Sequence, residues 1–292
     1  MNDLSPITEA TPTFQRTKGH GRIASKRGVD GKSRIDRLYQ EGAARIRVPD
    51  HLGRSDLEAV IINTAGGLTG GDHLTWAARA GQGSELTVTT QACEKVYKSS
   101  GGPASVHVDL KVETGARLNW LPQETIFFDQ SRLHRTITAE VEEGASLLLV
   151  EPVIFGRRAM AETVKTGAWR DQWRIHHKGA LIHAENVRLE GAIAEHLAGP
   201  AALSGRTALA TVLLIGNHAE SKVTEVRAML EASQKTIGGA SSWEHAGVTK
   251  LVVRLASIDG YTLRQDLIPL VGYLASAPGE GGGRFIPKVW SL

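Results

Sequence analysis

Apolar and polar residues alternate along much of this chain, in short runs bounded by glycine. Four runs end at a tetrad of glycine, a small residue, any residue and an apolar residue, which begins at Gly83, Gly115, Gly144 and Gly179. An apolar residue at every second position is the pattern of a β-strand with one buried face, and glycine tolerates the backbone angles of a tight turn. The pattern therefore predicts a strand before and after each tetrad.

The tetrads recur at spacings of 32, 29 and 35 residues. Repeats of roughly 20 to 50 residues are typical of stacked supersecondary units, because one unit cannot bury its own apolar face. We therefore expect a mainly β, solenoid-like or layered structure. The irregular spacing leaves a β-sandwich with similar hairpins as the alternative.

Two segments have helical periodicity instead. Residues 221–233 place Val223, Val226, Met229 and Leu230 on one face, with Ser221 as the expected N-cap, and residues 262–275 repeat the pattern around Pro269. No clean domain boundary is visible, so we expect one domain over 1–292, with 1–16 as a flexible tail.

Composition supports a β-rich globular protein. Of 292 residues, 41% are hydrophobic and 22% charged, which argues against general disorder, while 32 glycines and only 5% aromatics favour many turns. The single cysteine, Cys93, cannot form an internal disulfide, and neither a secretory signal nor an apolar run of about 18 residues is present. We expect a cytoplasmic protein that does not enter a membrane.

The net charge of +3 arises mostly between Arg16 and Arg37, where eight Lys and Arg residues face only Asp30 and Asp36. Such a run is either a solvated segment or an arm for a polyanion. Because no aromatic residue is interleaved to stack bases, we favour the solvated segment and expect no nucleic acid partner.

The motifs for nucleotide binding and hydrolysis are incomplete. Gly31-Lys32-Ser33 lacks the glycine that should stand where Lys26 is, and neither a nucleophile elbow nor a His-Glu-X-X-His pattern occurs. Cys93 is more typical of a small buried strand residue than of a nucleophile, and His176, His177 and His183 have poor spacing for one ion. We expect no catalytic residues.

The segment 66–72, GGLTGGD, follows the buried-strand sequence 57–62. Four glycines in six residues allow a backbone to pack very closely, either as a tight turn or at a functional surface.

Carboxylates at the ends of apolar segments are the most suggestive polar residues. Turns at corresponding ends of stacked strands would bring them to one edge, and oxygen ligands without thiols suit transient handling of a divalent ion. The residues concerned are Asp72, Glu94, Glu124, Asp129, Glu151 and Glu162.

Three ordered motifs carry a family resemblance over most of the chain: NTAGGLTGGD at 63–72, TQACEKVYKS at 90–99 and LPQETIFFD at 121–129. With weaker support from GRRAMAE at 156–162 and PKVW at 287–290, the chain resembles the urease accessory proteins called UreD, or UreH in some systems. Ala161 stands where the pattern has a glycine, and Cys93 where it has another small residue.

The resemblance implies a solenoid-like β fold and no catalytic site. Proteins of this family bind UreF, which binds the GTPase UreG, and the complex docks on apo-urease and delivers nickel. The chain is therefore expected to belong to a hetero-oligomer, to hold no cofactor tightly and to contact nickel only transiently.

Two sets of candidate residues follow. The proposed transient nickel path comprises Asp72, Glu124, Asp129, Glu151 and Glu162. The motif and interface residues are Asn63, Gly66, Gly67, Gly70, Gly71, Gln91, Lys95, Tyr97, Gln123, Arg157 and Trp290. The alternatives are a β-solenoid hydrolase with paired carboxylates on a concave face, and a plain adaptor without a metal path.

Overall fold

A computed structural model describes residues 15–50, 54–157, 160–276 and 286–291. Most of the predicted flexible tail lies outside these ranges. Within them the chain forms seventeen strands: β1 (Lys18–Arg27), β2 (Ser33–Gly42), β3 (Ala44–Arg47), β4 (Leu57–Asn63), β5 (His73–Ala80), β6 (Glu85–Thr90), β7 (Glu94–Val96), β8 (Ala104–Val112), β9 (Arg117–Leu121), β10 (Thr125–Phe127), β11 (Arg132–Val141), β12 (Ser146–Phe155), β13 (Gly167–His177), β14 (Ala180–Gly191), β15 (Ala208–Ile215), β16 (Ile237–His245) and β17 (Val248–Ser257).

The strands form two large sheets. Sheet A has the order β14-β13-β11-β8-β5-β1-β2, and sheet B has β16-β17-β15-β12-β9-β6-β4-β3, with β10 and β7 attached beside β12. From β4 to β13 the chain alternates between the sheets, and each strand pairs in parallel with the one from the preceding coil. Hairpins would pair antiparallel, so this arrangement confirms the solenoid-like prediction over the sandwich.

The first three tetrads form the tight turns from sheet A into sheet B. Gly83, Gly115 and Gly144 have φ of 64°, 65° and 63°, which is the left-handed region that glycine adopts without strain. The fourth tetrad breaks the repeat, because β13 and β14 pair antiparallel within sheet A. Lys178 and Gly179, with φ of 50° and 77°, form the two-residue turn of that hairpin.

Two apolar layers explain the nearly continuous apolar sequence of β12. Leu147 and Leu149 face the core between the sheets, whereas Leu148 and Val150 face a second core on the outer side of sheet B. A strand buried on both faces does not alternate. The second core is closed by the helices described next.

Both predicted helices are present, as α2 (Val223–Ala232) and α3 (Gly260–Ala275), and Pro269 lies inside α3. Ser221 is not the N-cap of α2, because a 3₁₀ turn over Glu220–Lys222 leads into the helix. Asp259 caps α3 by accepting a hydrogen bond from the Thr262 N–H at 2.8 Å. The short helix α1 (Ile193–Ala198) was not predicted, since six residues are too few for a periodic pattern.

The basic segment forms the edge hairpin β1–β2 instead of an arm. Every residue of β2 after Ser33 is exposed, and its charges make surface ion pairs such as Arg34–Asp30 at 2.8 Å. Among the described helices, none combines the length and apolar character required to cross a membrane.

Candidate functional site

In each coil of the solenoid, a short segment connects the strand of sheet B to the next strand of sheet A. The three motifs lie side by side in these connecting segments. Leu68 forms a parallel bridge with Val96, β7 pairs with β10, and β10 pairs with the end of β12. These pairings align Leu68, Val96, Phe127 and Phe155 in one buried row. Because the row anchors one motif against the next, the polar residues that flank it are held in a fixed register.

The glycines of the first motif permit close approach. A Cβ on Gly67 would lie 2.3 Å from the Tyr97 ring, and one on Gly70 would lie 2.3 Å from the Gly102 carbonyl oxygen. Gly71 has φ of 89°. Gly66 (φ 75°) has open space around it and is needed for its backbone angle alone. The prediction of tight packing at this loop is therefore confirmed.

A surface cleft of about 460 Å³ opens beside this loop, lined partly by Asn63, Gln91, Cys93 and Lys95. An interior cavity of about 60 Å³, room for one or two water molecules, lies between the sheets. The residues that line both spaces are Ile61, Trp76, Thr90 and Glu94. We call the cleft and the cavity together the Glu94 passage.

Glu94 stands at the junction of the two spaces. Asn63 Nδ2 donates to its two carboxylate oxygens at 3.1 and 3.3 Å and to the Gly67 carbonyl at 3.2 Å. Burial raises the pKa of Glu94 to about 7, and the Asn63 hydrogen bond opposes this shift only in part. The carboxyl group can thus gain or lose a proton near neutral pH.

Glu151 lines the inner end of the passage and is 3% exposed. It accepts a hydrogen bond from Trp120 Nε1 at 2.9 Å and pairs with Arg135. Burial raises the pKa of Glu151 to about 7; the Arg135 guanidinium counteracts this and the Asp171 charge adds to it.

Arg135 spans the interior from sheet A to sheet B. Its Nε donates to Asp171 Oδ1 at 3.1 Å, Nη2 donates to Asp171 Oδ2, and Nη1 donates to Glu151. Trp173 Nε1 also donates to Asp171, at 3.1 Å. One guanidinium therefore serves two buried carboxylates, which leaves the group one negative charge in excess when both are ionised.

Glu124 is buried but has its own cation. Arg264 Nη1 donates to both of its oxygens at 2.9 Å, and the Cys93 thiol donates to Oε2 at 3.2 Å. Burial and the neighbouring Glu124 carboxylate raise the pKa of Cys93 to about 12, which is the opposite of an activated nucleophile. Cys93 is partly exposed and precedes β7, so the prediction that it is a buried strand residue was wrong.

The other three carboxylates stabilise turns. Asp72 accepts from the N–H groups of Thr17 and Thr69, both at 2.8 Å. Asp129 accepts hydrogen bonds from the Lys165 N–H at 2.8 Å and the Thr166 N–H at 3.0 Å. Glu162 pairs with Arg157 at 2.6 Å. All three precede strands of sheet A, so the sequence did not show that the carboxylates divide between two edges.

The remaining motif residues have defined positions. Gln123 Nε2 donates to the Thr90 carbonyl at 3.1 Å beside the interior cavity. The Tyr97 hydroxyl donates to the Gly66 carbonyl at 3.3 Å. Arg157 lies over the Phe128 ring at 4.1 Å. Ala161, in place of the family glycine, still has φ of 50°.

Trp290 fixes the C-terminal segment against sheet B. It is 1% exposed, and its Nε1 donates to Thr89 Oγ1 and the Leu121 carbonyl, each at 3.1 Å. Arg264 Nη2 donates to the Trp290 carbonyl at 2.6 Å, so the same arginine contacts the tail and Glu124.

Within the described ranges, no three or more His, Cys, Asp or Glu side chains are grouped closely enough to hold a metal ion. The passage has one carboxylate at its junction, Glu94, and another at its inner end, Glu151. Single carboxylates that are spaced apart suit weak contact with a moving cation. Sequence reasoning missed Arg135 and Asp171, and noted Glu94 without selecting it. The available signal was a charged residue at an inward position of an otherwise apolar strand. Burying such a charge is costly unless it is paired, so its presence indicates a buried partner.

The stacked coils, the helices packed on one sheet and the buried polar groups define a β-solenoid protein with charged side chains between its sheets. The family model described as UreD urease accessory protein matches residues 17–291. A protein named urease accessory protein UreD from Rhizobium leguminosarum bv. trifolii (strain WSM2304) is 50% identical over 286 residues, covering 98% of this chain and 99% of the relative. This chain belongs to the UreD family of urease accessory proteins.

Other relatives agree. A protein of the same name from Agrobacterium fabrum (strain C58 / ATCC 33970) is 47% identical over 95% of this chain and 92% of its own length. Urease accessory protein UreD 1 of Brucella ovis (strain ATCC 25840 / 63/290 / NCTC 10512) is 45% identical over 100% of this chain and 98% of its own length.

Proposed function

We propose that this protein is a scaffold in urease maturation that binds UreF, and through it UreG, docks on apo-urease and passes nickel to the urease active site. Its membership of the UreD family supports a role in maturation. The finer steps follow the family resemblance, and with them we propose that the protein acts in the cytoplasm as one part of a hetero-oligomer.

We further propose that nickel moves through the Glu94 passage. The observation that carries this proposal is the set of four residues shared by the surface cleft and the interior cavity, with Glu94 among them. Of the five carboxylates predicted for the path, Glu151 lines the cavity. Glu124 lies behind Cys93 at the edge of the cleft, and the other three are held by turns.

The electrostatics of the passage suit transit of a divalent cation. A carboxyl group whose pKa lies near 7 can exchange its proton for a metal ion without a large cost. Arg135 repels a cation next to Glu151, which opposes permanent capture. Oxygen ligands bind nickel less tightly than nitrogen or sulfur ligands, so release is also favoured.

The test is Glu94→Gln, which keeps the shape and the Asn63 contact but removes the charge. We would co-express the variant with UreF, UreG and apo-urease, then measure pull-down yield and nickel per urease active site. The expected result is normal complex formation with nickel loading reduced by more than half. Glu162→Gln is the matched control and should load normally.

Two results would contradict the proposal at different levels. Normal nickel loading with Glu94→Gln would exclude the passage as the path and leave the adaptor hypothesis. Failure of the wild-type chain to co-purify with UreF would remove the scaffold role itself. The hydrolase alternative loses support because Glu151, which shares Arg135 with Asp171, faces a cavity of about 60 Å³, far too small for a polysaccharide.

A further inference from the structure

The two sheets end unevenly at the C-terminal end of the solenoid. Strand β14 is the last strand of sheet A and faces β17, to which it is tied by Arg254–Glu185 hydrogen bonds at 2.6 and 2.8 Å. Sheet B continues to β16, whose inner side has no strand opposite it within the described part of the chain. The result is a cleft of about 720 Å³ lined by β14, β16 and β17.

Lys250 forms part of the floor of this cleft and is only 5% exposed. Its Nζ donates to the Ile182 carbonyl and lies 4.7 Å from the centre of the Trp243 ring. Both partners are neutral. The other cation of the cleft, Arg254, is paired with Glu185, and among the described residues no carboxylate pairs with Lys250. A buried charge without a counter-ion is costly and favours an anionic ligand.

His183 provides a second and independent observation. It is 7% exposed, lines the cleft, and its Nε2 has no hydrogen-bond partner among the described residues. The Glu185 carboxylate lies 3.8 Å away, which is too far for a hydrogen bond. Burial lowers the pKa of His183 to about 4, so the ring is neutral at pH 7 and one of its nitrogens carries a hydrogen.

We propose that this cleft binds a carboxylate group attached to a flat apolar skeleton. Lys250 Nζ binds the oxygens, and His183, whose Nε2 is sealed from solvent in the free protein, donates to them after a small rotation of its ring. Trp243 and Leu181, which are 43% and 45% exposed, cover the carbon atoms. One uncompensated cation and one neutral donor match a monoanion better than a doubly charged phosphate. The site is separate from the Glu94 passage and does not rest on the nickel proposal.

The first test uses the full-length protein and two small probes at pH 7. Isothermal titration should show saturable binding of 3-phenylpropionate, with affinity at least about tenfold higher than for neutral 3-phenylpropionamide because only the acid pairs with Lys250. Equal affinity for acid and amide, or no binding of either, would overturn the proposal. This comparison needs no variant and so does not depend on folding of a mutant.

Variants then place the site. Lys250→Met keeps the length of the side chain and should weaken the acid by about tenfold or more through loss of the ion pair. Trp243→Ala should weaken acid and amide alike. The exposed Lys235→Met is the charge-matched control and should leave both affinities unchanged. Unchanged acid binding in a folded Lys250→Met variant would contradict the assignment.

A final arm separates the two sources of a carboxylate. The peptide N-acetyl-Phe-Glu-Val-amide and its Gln analogue present the group as a partner protein would. Tighter binding of the Glu peptide than of free phenylpropionate would identify a protein segment as the ligand. Binding of the free acid alone would identify a small metabolite, and both results support the carboxylate site.

Discussion

Five of the candidate carboxylates occupy two regions that lie on different sides of the solenoid coil. Asp72, Asp129 and Glu162 precede strands of sheet A, and backbone N–H groups or a surface arginine occupy their oxygens. Glu94 and Glu151 adjoin sheet B and face the interior. The Asn63 amide donates to Glu94, whereas the Trp120 indole and an arginine shared with Asp171 donate to Glu151.

The difference shows that position along a strand does not determine the chemistry of an acid. For Asp129, burial opposes ionisation, but the N–H groups of Thr166 and Lys165 lower its pKa below the ordinary value. For Glu94, burial dominates and raises the pKa to about 7. Hydrogen-bond donors to a carboxylate stabilise its ionised form and lower its pKa. Burial among apolar groups raises the pKa, so the acid can gain or lose a proton near neutral pH.

The sharpest test of the contrast is Arg135→Met. The change leaves Glu151 and Asp171 buried without their cation, so the free energy of unfolding should fall by about 3–5 kcal/mol. Urea denaturation at pH 7 measures it. Arg157→Met removes the surface partner of Glu162 and should cost about 0–1 kcal/mol. Similar losses for the two variants would show that the interior group is not distinct.

Asp72→Ala should have the next largest effect. It removes both acceptors from the Thr17 and Thr69 N–H groups, and the expected loss is about 2–3 kcal/mol because two partly buried donors lose their partners. Thermal and urea unfolding would report the loss, with Glu162→Ala as the reference. A negligible change would mean that water replaces the carboxylate at this turn.

The pH dependence of Glu94 offers a smaller effect with a definite sign. Its folded pKa of about 7 exceeds the ordinary 4.5, so the folded state binds the proton more tightly and stability falls as pH rises between these values. Glu94→Gln abolishes this term. The variant should match the wild type near pH 4.5 and exceed it by about 1–2 kcal/mol at pH 8, allowing for partial exposure.

Asp129→Asn supplies the opposite control. Because the folded pKa of Asp129 is lowered, its stabilisation is present above the ordinary value and is lost as pH falls through the folded pKa. The difference between wild type and Asp129→Asn should therefore shrink in acid. The difference between Glu94→Gln and the wild type should instead grow from pH 5 to pH 8. If it shrinks over this range, the pKa of Glu94 is not raised by folding.

The sequence predicted the coil because three glycine tetrads and period-two strands are local signals. It did not predict the β13–β14 hairpin, since Gly179 follows the same local pattern and only the antiparallel pairing distinguishes it. The interior charges were missed for a related reason. Arg135 has the same strand parity as the buried Leu133 and Ile137, but parity shows only that it faces inward. Its partners Glu151 and Asp171 come from other coils.

Glu162→Ala is the smallest expected effect and tests the exposed end of the comparison. Its carboxylate pairs with Arg157, whose side chain is 41% exposed, and such surface pairs contribute about 0–1 kcal/mol. The backbone at this point packs closely without the Glu162 side chain. A Cβ at Gly156 would lie 2.4 Å from the Glu162 carbonyl oxygen, and Glu162→Ala leaves that oxygen in place. We therefore expect an almost unchanged midpoint in urea, and raising the salt concentration should reduce the remaining difference further. A loss above about 2 kcal/mol would place Glu162 with the interior acids, and the division between the two regions would no longer hold.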